Sequence, residues 1–174
     1  MARSTPPDLS LTEWVVLALV AESPTHGFAI AKELRPDSDL GRVMTVHRPL
    51  VYRALDRLVE AGFVEPAQVE PGDGGPQRTV QRTTRRGRSA LNRWLDSPVD
   101  HVRDLRIEFL LKLRLNQRRR RGSARLVGAQ RQALGPALAQ LTREPGPDVV
   151  NRWRHRNAVA AREFLDDLAS ELDA

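Results

Sequence analysis

A chain of 174 residues has room for one sizeable core or two small ones. Its 40% hydrophobic and 29% charged residues exclude a disordered chain, and the longest apolar run, Trp14–Ala21, is too short to span a membrane. The absence of cysteine removes any disulfide framework, thiol nucleophile or cysteine-bound zinc. Asp8 and Glu13, ahead of the apolar run, do not make the basic flank of a secretory signal, so a cytoplasmic protein is expected.

Charge is more informative. Lysine and arginine number 28 against 22 acids, giving +6, and only Lys32 and Lys112 are lysines. Arginine's planar fork suits phosphates and guanine edges, although codon bias in a GC-rich genome produces the same enrichment. Residues 1–98 hold 13 cations against 12 anions, and residues 99–174 hold 15 against 10. The totals do not locate a binding surface.

Residues 1–8, with Pro6 and Pro7, read as a frayed arm. Ser10-Leu11-Thr12-Glu13 has the spacing of a capping box, so a first helix is expected from Ser10 to about Glu22, apolar nearly all round and therefore in the core. After the break at Ser23–Gly27 a second helix runs to Leu34 and stops before Pro36. A loop over 37–46 leads to a third helix from about Pro49 to Gly62. On its wheel Val51, Ala54, Leu55 and Leu58 share one face. Pro49, Tyr52, Arg53, Asp56 and Glu60 share the opposite one, with Arg57 at its edge.

Phe63–Val69 reads as a strand that Pro66 confines to an edge or a bulge, Glu70–Pro76 as a turn, and Arg78–Thr83 as the returning strand. Thr84 caps a fourth helix to about Asp96. Three short helices, a hairpin and a further helix make a winged helix-turn-helix. The expected class is mainly α with one β-hairpin, a winged helix-turn-helix over 1–98 followed by an α-helical dimerisation region over 99–174.

In that second region one helix is expected to carry two stripes, Val102, Leu105, Phe109, Leu113 and Ile107, Leu111, Leu115. Another carries Leu126 to Leu141, kinked at Gly135-Pro136. After Glu144–Pro147 a last helix presents Val150, Trp153, Asn157, Ala160, Phe164, Leu168 and Leu172, a near-heptad stripe that resembles an association seam.

From Pro76 to Leu95 there are six arginines and no acid. Cations at a helix N-terminus oppose its dipole, and a nearby polyanion removes that penalty, so Arg78, Arg82, Arg85 and Arg86 are candidate phosphate contacts. His47, Arg48, Tyr52, Arg53 and Arg57 on the third helix are the candidates for reading and positioning. Arg118–Arg121 closes a helix, where cations complement the dipole. The histidines His26, His47, His101 and His155 are scattered, and neither a phosphate loop nor a nucleophile elbow is present, so no catalytic, cofactor or metal site is expected and the chain is not read as an enzyme.

Several blocks resemble the PadR family of transcriptional regulators. They are Pro24-Thr25-His26-Gly27-Phe28, Val51-Tyr52 through Leu58 to Val64, Gly75–Arg78, Thr84–Arg88, and Asp104-Leu105-Arg106 with Glu108-Phe109. Val80 and Gln81 depart from the tyrosines usual in the second wing strand. The resemblance implies a homodimeric repressor that dimerises through its C-terminal helices, binds an inverted repeat in double-stranded DNA, and in some members answers to a small-molecule effector. A winged-helix protein-interaction module without operator specificity is the alternative, and a small enzyme ranks last.

Overall fold

The computed structural model describes residues 8–71, 77–144 and 147–173. The N-terminal arm, most of the turn expected over Glu70–Pro76, and Pro145-Gly146 lie outside them. Two compact units divide the chain, Met1–Trp94 and Leu95–Ala174.

The first unit contains α1 (Leu11–Glu22), α2 (Gly27–Glu33), α3 (Arg48–Glu60), β1 (Val64–Glu70), β2 (Arg78–Thr83) and most of α4 (Arg85–Asp96). The capping box forms: Glu13 N donates to Ser10 Oγ at 3.3 Å and Ser10 N to Glu13 Oε2 at 2.6 Å. Trp14 through Val20 are all buried, so α1 is a core helix, and Trp14 stacks on Trp94 with centroids 5.2 Å apart and rings 3° from parallel. His26 caps α2 by accepting from Ala29 N through Nδ1 at 3.2 Å, an acceptor role that puts the neutral ring's proton on Nε2.

The expected inner face of α3, Val51, Ala54, Leu55 and Leu58, is buried. The helix ends in a left-handed Gly62 (φ 69°), with Gly62 N bonded to Val59 O and Phe63 N to Leu58 O, both at 2.9 Å. That pairing is a Schellman motif, which satisfies carbonyls a helix end leaves open.

The hairpin is antiparallel, and its register slips between Pro66 and Gln68, the bulge that the proline requires. One addition was not legible in the sequence. Thr25 and Gln81 form an isolated antiparallel bridge, exchanging bonds of 3.0 and 2.7 Å. Thr84 caps α4 by accepting from Gly87 N at 3.0 Å, and its hydroxyl reaches Gly62 O at 2.8 Å. A Cβ on Gly87 would fall 2.1 Å from Phe63 O, so only glycine fits this turn.

The second unit corrects one expectation. The Val102–Leu115 pattern is not one helix: a 3₁₀ turn covers Val102–Arg106, Ile107 leaves helical geometry (φ −121°, ψ −66°), and α5 spans Glu108–Arg118. Residues three apart eclipse in a 3₁₀ turn, so Val102 and Leu105 share a side there as they would on an α-helix. The apolar spacing could not separate the two. Both stripes are also covered within one chain, since Leu105, Phe109, Leu111, Leu113 and Leu115 are buried. They therefore give no argument for a second subunit.

Leu105, Phe109 and Leu113 pack with Leu126, Val127, Leu134 and Leu138 of α6 (Ala124–Leu141) and with Ala158 and Leu165 of α7 (Val149–Asp173). Helix α6 runs continuously with Pro136 inside it. As expected, Arg118 closes α5; beyond it Arg121 pairs with Asp96 at 2.8 Å. Asp148 caps α7 by accepting from Asn151 N at 2.9 Å, a bond that holds its carboxyl below the ordinary range.

Buried polar side chains grip the backbone of residues 95–99. Lys112 Nζ donates to Ser97 O at 3.0 Å and pairs with Glu108 at 2.7 Å, Gln130 bonds both N and O of Val99 (2.7 and 2.9 Å), and Asn116 reaches Leu95 O at 3.4 Å. Burial pushes the Lys112 amine below its usual range, opposed by Glu108. Truncating the buried Lys112 side chain leaves a cavity where its stem packs, and it also removes the donor to Ser97 O and the partner of the partly exposed Glu108. Lys112→Ala is therefore expected to cost about 3 kcal/mol by urea denaturation. Lys112→Met keeps the volume and should cost clearly less. Equal losses would assign the cost to the polar contacts rather than to packing.

Helix α7 carries two neighbouring faces. Ala158, Ala161, Leu165 and Ala169 face the core, and so does Leu168, which the expected stripe had placed on the association seam, while Val149, Val150, Trp153, Phe164 and Leu172 are exposed. Among the described residues no helix is long and apolar enough to cross a membrane, and no group of metal-ligating side chains assembles.

Candidate nucleic-acid interface

The Thr25–Gln81 bridge organises one side of the first unit. It ties the start of α2 to β2, and Phe28, in the first turn of α2, meets Arg78, at the start of β2, with Arg78 Cζ 5.3 Å from the ring centroid. Two more cations reach the same ring: Lys32 Nζ at 4.9 Å, one turn along α2, and Arg48 Cζ at 5.4 Å, from the first turn of α3. Arg48 also lies 5.5 Å from the Tyr52 ring. Gly27 permits this closeness, because a Cβ there would sit 2.8 Å from the tyrosine ring.

Around these residues is a cavity of about 400 Å³ lined by Phe28, Arg48, Tyr52, Asp56, Arg78 and Gln81, among others. The Gln81 Oε1 atom is buried and lacks a hydrogen-bond partner. The outcome is a positive, partly aromatic surface that draws on α2, α3 and β2. Such a surface attracts phosphates and offers a stacking face and fork donors to bases.

The expected site residues divide. Arg48, Tyr52 and Arg78 come together at Phe28. His47, the N-cap of α3, is exposed and makes no side-chain cap bond. Arg53 on α3 and Arg85 at the start of α4 are exposed, and no described residue pairs with either.

Three others are engaged within the fold. Arg57 pairs at 3.0 Å with the buried Glu13 of α1, and Arg82 at 2.8 Å with Glu65 across the hairpin. Arg86 donates to Ala61 O at 3.0 Å, at the end of α3, and lies 4.7 Å from the Phe63 ring. Of these three, Arg82 belongs to the run of cations without acids and is compensated by Glu65, Arg86 in the same run is held by a carbonyl and a ring, and Arg57 lies outside the run. Sequence reasoning missed Phe28 and Lys32 as members of the site. Their i, i+4 spacing on α2 was the available signal, since such pairs are neighbours on a helix.

Residues 16–93 match the transcriptional regulator PadR-like family. The N-terminal unit is a PadR-like domain. No curated protein matches the chain. Among solved structures, Bacillus subtilis PadR in complex with operator DNA is similar at 18% identity and a TM-score of 0.49, over 94% of this chain and 96% of that one. The same protein in complex with p-coumaric acid aligns at 16% identity and a TM-score of 0.46, covering 95% and 100%. A protein from Streptococcus mutans UA159 aligns at 18% identity and a TM-score of 0.45, covering 91% and 98%. In this PadR-like domain the winged helix and its hairpin are the elements that gather the cations.

Proposed function

We propose that this protein is a sequence-specific, DNA-binding transcriptional regulator that acts as a homodimer. The observation that carries the reading is the convergence of Arg48, Tyr52 and Arg78 on one side of a PadR-like winged helix. Helix α3 would enter the major groove with Arg53 and Tyr52 towards base edges, His47 and Arg48 would meet phosphates beside it, and Arg78 and Arg85 would track the backbone. Arg57, Arg82 and Arg86, held by internal partners, contribute less. The second unit supplies dimerisation through the exposed face of α7. Repression follows if the dimer occludes a promoter, and an effector that changes operator affinity belongs to the same proposal.

A two-fold dimer needs an inverted repeat with half-sites about 10 base pairs apart, or a multiple of that. Binding to DNA from upstream of the protein's own coding region, measured by anisotropy and footprinting, tests the reading. Arg53→Ala is expected to cost about 1–3 kcal/mol on the preferred site and to relax base preference there. Arg78→Ala should instead weaken all duplexes alike and flatten the salt dependence by about 0.9 in log–log slope. Arg82→Ala, which also frees Glu65, should change the slope less. A wild-type protein that prefers no sequence over a scrambled duplex would favour an interaction module instead. Titrating phenolic acids into the complex tests the effector.

A further inference from the structure

Lys32, Arg48 and Arg78 come from three different elements, yet all three stand about one phenyl ring at 4.9, 5.4 and 5.3 Å. Three like charges repel, and long side chains at a surface ordinarily spread into water and sample many rotamers. The negative face of an aromatic ring offsets both tendencies by giving each cation an attractive seat. Arg48 is held doubly, between the rings of Phe28 and Tyr52. Phe28 itself is half-buried, so aliphatic bulk would satisfy its packing almost as well.

Resting on the DNA-binding reading above, we propose that Phe28 is a positioning residue that holds Lys32, Arg48 and Arg78 ready to meet one stretch of phosphate backbone together, which makes Lys32 a phosphate contact. Side chains ordered before binding lose less freedom on binding, so the ring raises affinity without touching DNA. The bridge at Thr25–Gln81 fixes the distance between α2 and the wing, and the ring converts that fixed distance into a fixed fan of charges.

The test uses the full chain with Phe28→Leu, which keeps apolar bulk, and Phe28→Tyr, which keeps the ring. Phe28→Leu is expected to weaken operator and random duplex alike by about tenfold, the sum of three modest cation–ring attractions. Its log–log salt slope should fall by about 2, because three contacts near 0.9 each are weakened together. Phe28→Tyr should restore both. In the Phe28→Leu background Arg78→Ala should cost much less than in the wild type, the non-additivity expected of a shared unit. Ring-current shifts of the Lys32 ε-methylene and Arg78 δ-methylene protons should vanish with leucine and survive with tyrosine.

An unchanged salt slope in Phe28→Leu, with additive Arg78→Ala, overturns the proposal while leaving the DNA-binding reading intact. Wild-type protein that binds no duplex at low salt removes both. If Phe28→Leu does not melt cooperatively, Lys32→Ala decides: a slope lowered by about 1 supports the fan, and an unchanged slope overturns it.

Discussion

Trp153→Asp together with Phe164→Asp is expected to make the protein monomeric and to lower operator affinity at least about 100-fold. Of the eight large hydrophobic side chains left exposed among the described residues, five lie on α7, and Trp153 is 70% exposed. A single helix that shows so much apolar surface is an aggregation liability unless a partner covers it. Tryptophans at the centre of such seams are commonly worth about 2–4 kcal/mol each, and a two-fold axis presents every substitution twice. Burying unpaired carboxylates there adds a desolvation cost. Loss of the dimer removes the second half-site's effective concentration, which is the source of the 100-fold figure. Both residues are exposed within a protomer, so thermal unfolding should remain cooperative. Sedimentation equilibrium and a titration on one-site and two-site DNA give the answer. A double variant that stays dimeric and keeps full operator affinity would falsify the α7 seam.

In the first unit, Trp14→Ala should be the most damaging substitution, costing about 3–5 kcal/mol. Trp14 is buried on a helix whose whole middle is buried, and its ring lies flat on Trp94. Removing it opens a cavity in a core that has no free side to collapse from, and it also deletes the stacked pair. Trp14→Phe retains much of both and should cost substantially less. In a Trp153→Phe background the emission of Trp94 follows this unit alone, so urea titration reads the loss directly. A cost below about 1 kcal/mol would show that α1 is not the central core element.

Local chemistry made several elements legible. Ser10 and Glu13 announce their own cap because both partners lie within one turn, and the same holds for Thr84 at α4. The inner face of α3 follows from helical period, and the bulge in β1 from the missing N–H of Pro66. The exposed stripe of α7 stood out because tryptophan and phenylalanine dominate it. Its inward face was harder to see: Leu168 fits the spacing of the outer stripe yet packs inward with Leu165, and the alanines beside them contribute little to a hydropathy pattern.

By itself, then, the sequence determined the helices of the first unit, the hairpin, the winged order and the outer face of α3, since each is governed by residues a few positions apart, whereas the 3₁₀ turn ahead of α5 escaped it. Tertiary structure decided which of the arginines remain available. Glu13 lies 44 residues from Arg57, a pairing with no local signature, whereas Glu65 and Arg82 face each other across the hairpin in a register that the slip between Pro66 and Gln68 helps to set. The bridge from Thr25 to Gln81 likewise joins two segments whose patterns do not foretell their meeting, and through it Phe28 becomes the centre of the cation fan. Electrostatic compensation acts through space at a few ångströms, whereas sequence spacing records proximity only within a turn or a hairpin. The charge run therefore pointed to one side of the first unit, and the fold decided which of its arginines are held by internal partners.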